Sequence, residues 1–219
     1  MRRLMGLIAA AAIGLCAAGP AQAQERKPIQ GYVAGGYVMP EGVANDYLNG
    51  GWNISGGTIL RPAPHRPLAV RFDLGYSYMG ANSNVIDKAA SHGLRVDSGY
   101  MSMWDLTAEG LWEFGHPGHT GGWLGVGFGG YRRYLELSNT VVLPGYICDP
   151  WWGWCYPAAV PGQVIAANDT TTKFGYNVSV GINFPVGHSG GEVYVETRYH
   201  WMDTPTSTEY WPILIGYRF

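Results

Sequence analysis

Hydrophobicity alternates residue by residue from Glu209 to Phe219, a pattern only an extended strand can use. Ile213, Ile215, Tyr217 and Phe219 share one face and Leu214, Gly216 and Arg218 the other, because successive side chains of a strand point to opposite sides of its sheet. The same period recurs at 30–39, 50–60, 68–79, 99–114, 122–136, 171–184 and 191–202. These segments are close to the roughly ten residues a tilted strand needs to cross a hydrocarbon layer. The third sets Leu68, Val70, Phe72, Leu74, Tyr76 and Tyr78 against Ala69, Arg71, Asp73, Gly75 and Ser77. The sixth sets Phe174, Tyr176, Val178, Val180, Ile182 and Phe184 against Gly175, Asn177, Ser179, Gly181 and Asn183. In the first, the facing is open.

The start of the chain reads as a secretory signal. Arg2 and Arg3 form a charged head, Leu4 to Ala18 an apolar stretch, and Ala21-Gln22-Ala23 a small-residue cleavage site, which assigns 1–23 to a removed signal peptide and 24–219 to one domain. The apolar stretch is shorter than the about 20 residues of a membrane helix, and no later segment offers one. Cys16 follows Leu15 rather than the Gly or Ala that lipid attachment usually wants. With Arg2 and Arg3 gone, 14 basic residues fall to 12 against 16 acidic ones, so nothing favours nucleic acid. The remaining cysteines, Cys148 and Cys155, enter an oxidising compartment, where a disulfide is the expectation.

Alternation alone does not separate a soluble sandwich from a membrane barrel. Composition does: charged residues are 14% of the chain, against about a quarter in ordinary soluble domains, while Gly numbers 33, Tyr 15 and Trp 9. With strands running up and down in order, Tyr76, Tyr78, Tyr100, Phe174, Tyr176, Tyr199, Trp201 and Trp211 fall near one rim. Trp112, Phe114, Phe184, Tyr217 and Phe219 fall near the other. Such belts match the preference of aromatic rings for the headgroup level. Connections at 61–67, 115–121 and 185–190 are short; those at 40–49, 80–98, 137–170 and 203–208 include the two longest. The expected fold is all-β, an eight-stranded antiparallel up-and-down transmembrane β-barrel.

The signal, the eight alternating strands and the closing Tyr217-Arg218-Phe219 resemble small bacterial outer-membrane β-barrels of the OmpA-like and opacity-type group. The resemblance spans the whole mature chain. It implies an outer-membrane location, contact with membrane lipid and lipopolysaccharide, and an assembly signal at Tyr217 and Phe219 read by the barrel-assembly machinery. It fixes function weakly, since one small barrel carries many roles.

Charges cluster on the lumen-facing positions: Arg71, Asp73, Asp105, Glu109, Glu113, Glu192, Glu196, Arg198, His200 and Arg218. In a narrow interior they must pair or be hydrated. Arg71 is expected to meet the carboxylates of the fourth strand, and Glu192 to neighbour Arg218. A polar plug is favoured over a gate, because an eight-strand interior is just wide enough for side chains to fill it. A Ser-His-acid site drawing on His200 with Ser77, Ser102 or Ser179 lacks any local nucleophile motif, so no catalytic residue and no cofactor is assigned. Gly125, Gly127 and Gly129 precede no helix and so make room for bulky lumen side chains rather than cradle phosphate. His116 and His119 have no partners suited to a metal, and no metal is expected. The loop at 137–170 holds Trp151, Trp152 and Trp154 between Cys148 and Cys155. That cluster is either a surface for an extracellular ligand or protein partner, or a set of rings folded over the barrel mouth as a lid or set back in the interface belt. The resulting expectation is a non-enzymatic surface-interaction or envelope-integrity protein. A narrow channel for small or apolar solutes, as in OmpW-type barrels whose closing strand this one also resembles, is the alternative, with a lipid-modifying enzyme third.

Overall fold

The computed structural model describes residues 27–91, 96–116, 118–187, 190–203 and 208–219; the expected signal peptide lies outside them. Eight strands run β1 (Ile29–Glu41), β2 (Leu48–Leu60), β3 (Leu68–Ala81), β4 (Ser98–Phe114), β5 (Gly121–Cys148), β6 (Cys155–Val186), β7 (Gly191–Met202) and β8 (Thr208–Arg218). Each pairs antiparallel with the next, and β8 returns to β1 from Tyr32↔Arg218 to Glu41↔Glu209, closing a barrel. Phe219 N–H extends that seam to the Gly31 carbonyl at 3.0 Å. Closure satisfies the backbone of the wall without an edge, as a span through hydrocarbon demands.

The burial pattern is that of a globular protein turned inside out. Along β3, Leu68, Val70, Phe72 and Leu74 are exposed while Ala69, Arg71, Asp73 and Gly75 are buried. Leu106 is 64% exposed and Arg71 1%. A soluble sandwich hides its aliphatic face, whereas this barrel hides its charges and offers the aliphatic face to lipid, the arrangement that alternation alone could not distinguish. In β1, Tyr32, Ala34 and Val38 are buried and Val33, Gly35, Tyr37 and Met39 lie outside.

At the long-loop end the aromatic belt is a chain of ring contacts: Trp52 with Tyr78 at 6.0 Å, Tyr76 with Trp104 at 4.8 Å, Tyr78 with Tyr100 at 5.3 Å. Tyr176 and Trp201 meet at 4.8 Å and Tyr199 and Trp211 at 5.2 Å. At the other end Phe219 lies over Gly31, where a β-carbon would come within 2.5 Å of the ring.

Two long connections differ from the expectation of plain loops. Residues Ser83–Ser91 form a helix, α1. Asn82 starts it, its side-chain oxygen accepting from Asn84 N–H at 3.0 Å, as a helix cap does. The connection at 137–170 is a β-ribbon: β5 leaves β4 after Ser98↔Ser138 and runs on with β6 alone to Cys148↔Cys155. Prolines at 144, 157 and 161 hide this extension from a propensity reading, because proline is depleted in strands and survives there on exposed edges.

The facing predicts that Ile215→Arg, on the lipid side near mid-strand, lowers stability by about 2 to 4 kcal/mol, while Ile215→Leu changes little. Urea titration of the protein folded into phospholipid vesicles, with heat-modifiable gel mobility as the folding readout, measures both. Equal midpoints for the arginine variant and the wild type would contradict the assigned facing.

Candidate functional site

Two features stand apart from the wall: what fills the barrel, and what rises from it. The filling is layered. Nearest the short turns, Arg61 grips Glu113 through two hydrogen bonds of 2.7 Å and reaches Gln30 at 3.0 Å. Arg218 stands 3.6 Å from both Glu113 and Glu192, and its guanidinium lies 3.9 Å from the centre of the Trp123 ring.

Above this lies a denser network. Arg71 donates to both oxygens of Glu196, at 3.0 and 2.6 Å, and to Glu109. Arg198 donates to Glu196 at 2.7 Å and to Asp73 at 2.6 Å, and Tyr32 O–H donates to Asp73. Asn177 completes Glu109 at 2.5 Å. The two arginines thus bridge β3, β4 and β7 across the interior. Room for these groups comes from glycine: a β-carbon on Gly127 would come within 2.3 Å of Glu109 Cγ, and one on Gly75 within 2.5 Å of Asp105 Oδ1.

At the long-loop end polarity gives way to packing. His200 Nδ1 lies 3.0 Å from Tyr131 Oη and its ring stacks on Tyr210 at 4.5 Å. Above them Val38, Leu48, Met79, Met101, Met103 and Met202 form one buried cluster with both tyrosines. The interior is therefore occupied from end to end by ion pairs below and thioethers above.

Nine of the ten lumen charges singled out in the sequence are buried, and Glu192 is half-buried beside Arg218. Arg71 meets Glu109 of β4 but also Glu196 of β7, which sequence order does not bring near. Arg61, Tyr32, Trp123, Tyr194 and the methionine seal were not anticipated. Met101 and Met103 share the phase of Asp105 and Glu109, so carrying that phase to the strand end would have found them; Arg61 sits in a turn, where phase gives no signal. Of the serines considered for catalysis, Ser77 is engaged with Asn53 at 2.8 Å and Ser179 with Arg71 at 3.3 Å. His116 and His119 lie edge to face at 6.5 Å, and no cluster of three or more metal-binding side chains occurs among the described residues.

The ribbon ends in a stapled turn. Cys148 and Cys155 form a disulfide. Beyond it Asp149 N–H donates to the Trp154 carbonyl at 2.8 Å, and the Asp149 carboxylate accepts from the N–H groups of Trp151 and Trp152 at 2.8 and 3.1 Å. Gly153 takes the left-handed conformation, φ 68°, that closes the turn. Trp151, Trp152 and Trp154 are 89%, 79% and 77% exposed. They do not pack on the barrel mouth.

An aliphatic exterior, two aromatic belts and a filled polar interior on a closed ring of eight antiparallel strands make the fold that of the small bacterial outer-membrane β-barrels. Among solved structures, Neisserial surface protein A is similar over 88% of this chain and 96% of its own, with a TM-score of 0.55 and 11% identity. Ail, the attachment invasion locus protein of Yersinia pestis, solved with the heparin analogue sucrose octasulfate, covers 88% of this chain and 100% of its own, with a TM-score of 0.46 and 12% identity. The N-terminal β-barrel domain of Pseudomonas aeruginosa OprF covers 88% and 98%, at 0.40 and 11%. At these identities the likeness is one of fold. No family model and no curated protein matches the chain.

Breaking a buried ion network by removing one partner leaves an uncompensated charge, so Arg71→Met is expected to cost about 3 to 5 kcal/mol. Arg71→Met with Glu109→Gln should recover part of that loss, seen as coupling in a urea double-variant cycle. A loss below about 1 kcal/mol would mean that the network is well hydrated. The disulfide acts more locally. A Cys148→Ser, Cys155→Ser variant should keep heat-modifiability and lose about 2 to 3 kcal/mol confined to the ribbon, read as faster amide exchange at 139–164 alone.

Proposed function

We propose that this is a non-enzymatic outer-membrane protein that acts at the cell surface through the ribbon formed by β5 and β6. In such barrels the short turns face the periplasm and the long connections face outward, which assigns the ribbon to the exterior. The observation that carries the reading is the exposure of Trp151, Trp152 and Trp154 on a turn held in shape by a disulfide, two backbone–backbone hydrogen bonds and two more from backbone N–H groups to the Asp149 carboxylate. Large apolar side chains held out in water on a braced turn are characteristic of a contact surface. Membrane lipid and lipopolysaccharide surround the wall, and the barrel-assembly machinery is the partner during insertion, with Tyr217 and Phe219 as its signal.

The filled interior weighs against the channel reading. A solute would have to displace the pairs joining Arg71, Glu109, Glu196, Arg198 and Asp73, and then the methionine seal.

Two measurements test the proposal. Purified protein in planar bilayers should give no steady conductance, and a stable open level would favour the channel. Bacteria displaying the wild type should adhere to mammalian cell monolayers better than bacteria displaying Trp151→Ala, Trp152→Ala, Trp154→Ala at equal surface density. Equal adherence would remove the ribbon tip from the function.

A further inference from the structure

We propose that the ribbon tip is a lipid-contacting finger: Trp151, Trp152 and Trp154 seat at the interface of an apposed, zwitterionic phospholipid bilayer. This rests on the surface-interaction reading and names its partner.

Charge is the first argument. Between Leu137 and Asn168 the only charged side chain is Asp149, and its carboxylate is engaged by the N–H groups of Trp151 and Trp152. An acidic protein or an anionic headgroup would find no cation to pair with, and a basic protein would find a single carboxylate, one oxygen of which already accepts two N–H groups. A zwitterionic surface requires no counter-charge. It does reward indole rings, which settle between headgroups and acyl chains with the ring in apolar surroundings and the N–H toward water.

The second argument concerns the ribbon edges, the usual route by which an exposed strand pair recruits a second copy. Asp149 N–H bonds to the Trp154 carbonyl, so 149 and 154 are a hydrogen-bonded pair. By the alternation of an antiparallel ladder, 148/155, 146/157, 144/159 and 142/161 are then the other kind, with backbone groups directed outward. Pro144, Pro157 and Pro161 all fall in that outward-directed set. Each therefore removes an N–H that an added strand would need. The edges are blunted and the tip is left as the contact surface.

Geometry supplies the third. The tip lies ten residues beyond the last β4–β5 pair, from Ser138 to Cys148, roughly 33 Å at the rise of a strand. Exposed Tyr146, Ile147 and Tyr156 continue the apolar surface directly behind the tryptophans. The disulfide and the Asp149 turn hold the three indoles in place before contact, which lowers the ordering cost of binding.

The test uses the full protein in lipid nanodiscs, mixed with phosphatidylcholine vesicles and read by vesicle flotation and tryptophan emission. Discs should float with the vesicles. Brominated phosphatidylcholine placed only in the vesicles should quench a share of emission approaching three of the nine tryptophans. Binding should be the same at low and high salt and gain nothing from anionic lipid. Trp151→Ala, Trp152→Ala, Trp154→Ala should abolish flotation and vesicle quenching while keeping heat-modifiable mobility. Flotation that needs anionic lipid and fails in salt would overturn the proposal. Quenching of the three tip tryptophans by brominated lipid in the protein's own disc would do so too, as would disc-to-disc association without vesicles, the sign of a second copy. Failure to float, with bacterial adherence still dependent on the three tryptophans, would overturn the bilayer as partner and leave the surface-interaction reading standing.

Discussion

The arginine-carboxylate network centred on Glu196 is the interaction on which the rest of the molecule depends. A ring of eight strands encloses a space just wide enough for side chains, and a wall turned outward to lipid has no hydrophobic driving force between its own strands in that lipid. Arg71 and Arg198 both bind Glu196 and reach on to Glu109 and Asp73, so β3, β4 and β7 are tied across the axis as well as around it. Taking these groups from water costs several kcal/mol per ion, and only near-complete pairing offsets it. That requirement explains the glycine at 127, since a side chain there would push Glu109 out of place, while Gly75 makes room for Asp105.

From that interior follows the division of labour between wall and ribbon. A barrel filled by ion pairs and methionines leaves little free space inside. What stands clear of the wall is the part that rises above the belt. The ribbon has its own bracing, a disulfide and a turn closed by Asp149, and past Ser138 it is a separate small unit of two strands. Two-stranded ribbons are marginal in water, so a covalent staple at the tip is what makes an outward arm of this length physically reasonable.

The wall was legible in the sequence because its constraint is periodic. Leu68 to Met79 must alternate for lipid and lumen to be served at once, and the alternation is visible without any structure. The lumen charges were legible for the same reason, down to the neighbourhood of Glu192 and Arg218, whose pairing across β7 and β8 follows from register. Their partners across the axis were not. Arg71 finds Glu196 because barrel closure brings β3 and β7 to face each other, and no local pattern encodes that distance. Tyr32, Trp123, Tyr131, Tyr194 and Tyr210, none of them among the belt residues read from the sequence, pack inside, so an aromatic residue in this chain belongs to a belt only when its phase agrees.

The ribbon was illegible for a reason that bears on its role. Prolines and alanines between 144 and 161 lower β-propensity and break the reading of a strand, yet the prolines occupy positions where a strand pair loses no internal hydrogen bond and where an added strand would be refused. Sequence propensity scores such a segment as loop because it averages over central and edge positions alike. The structure separates them: the ladder inside the ribbon is kept, the prolines fall on outward-directed positions of its edges, and the three tryptophans at the turn stand exposed.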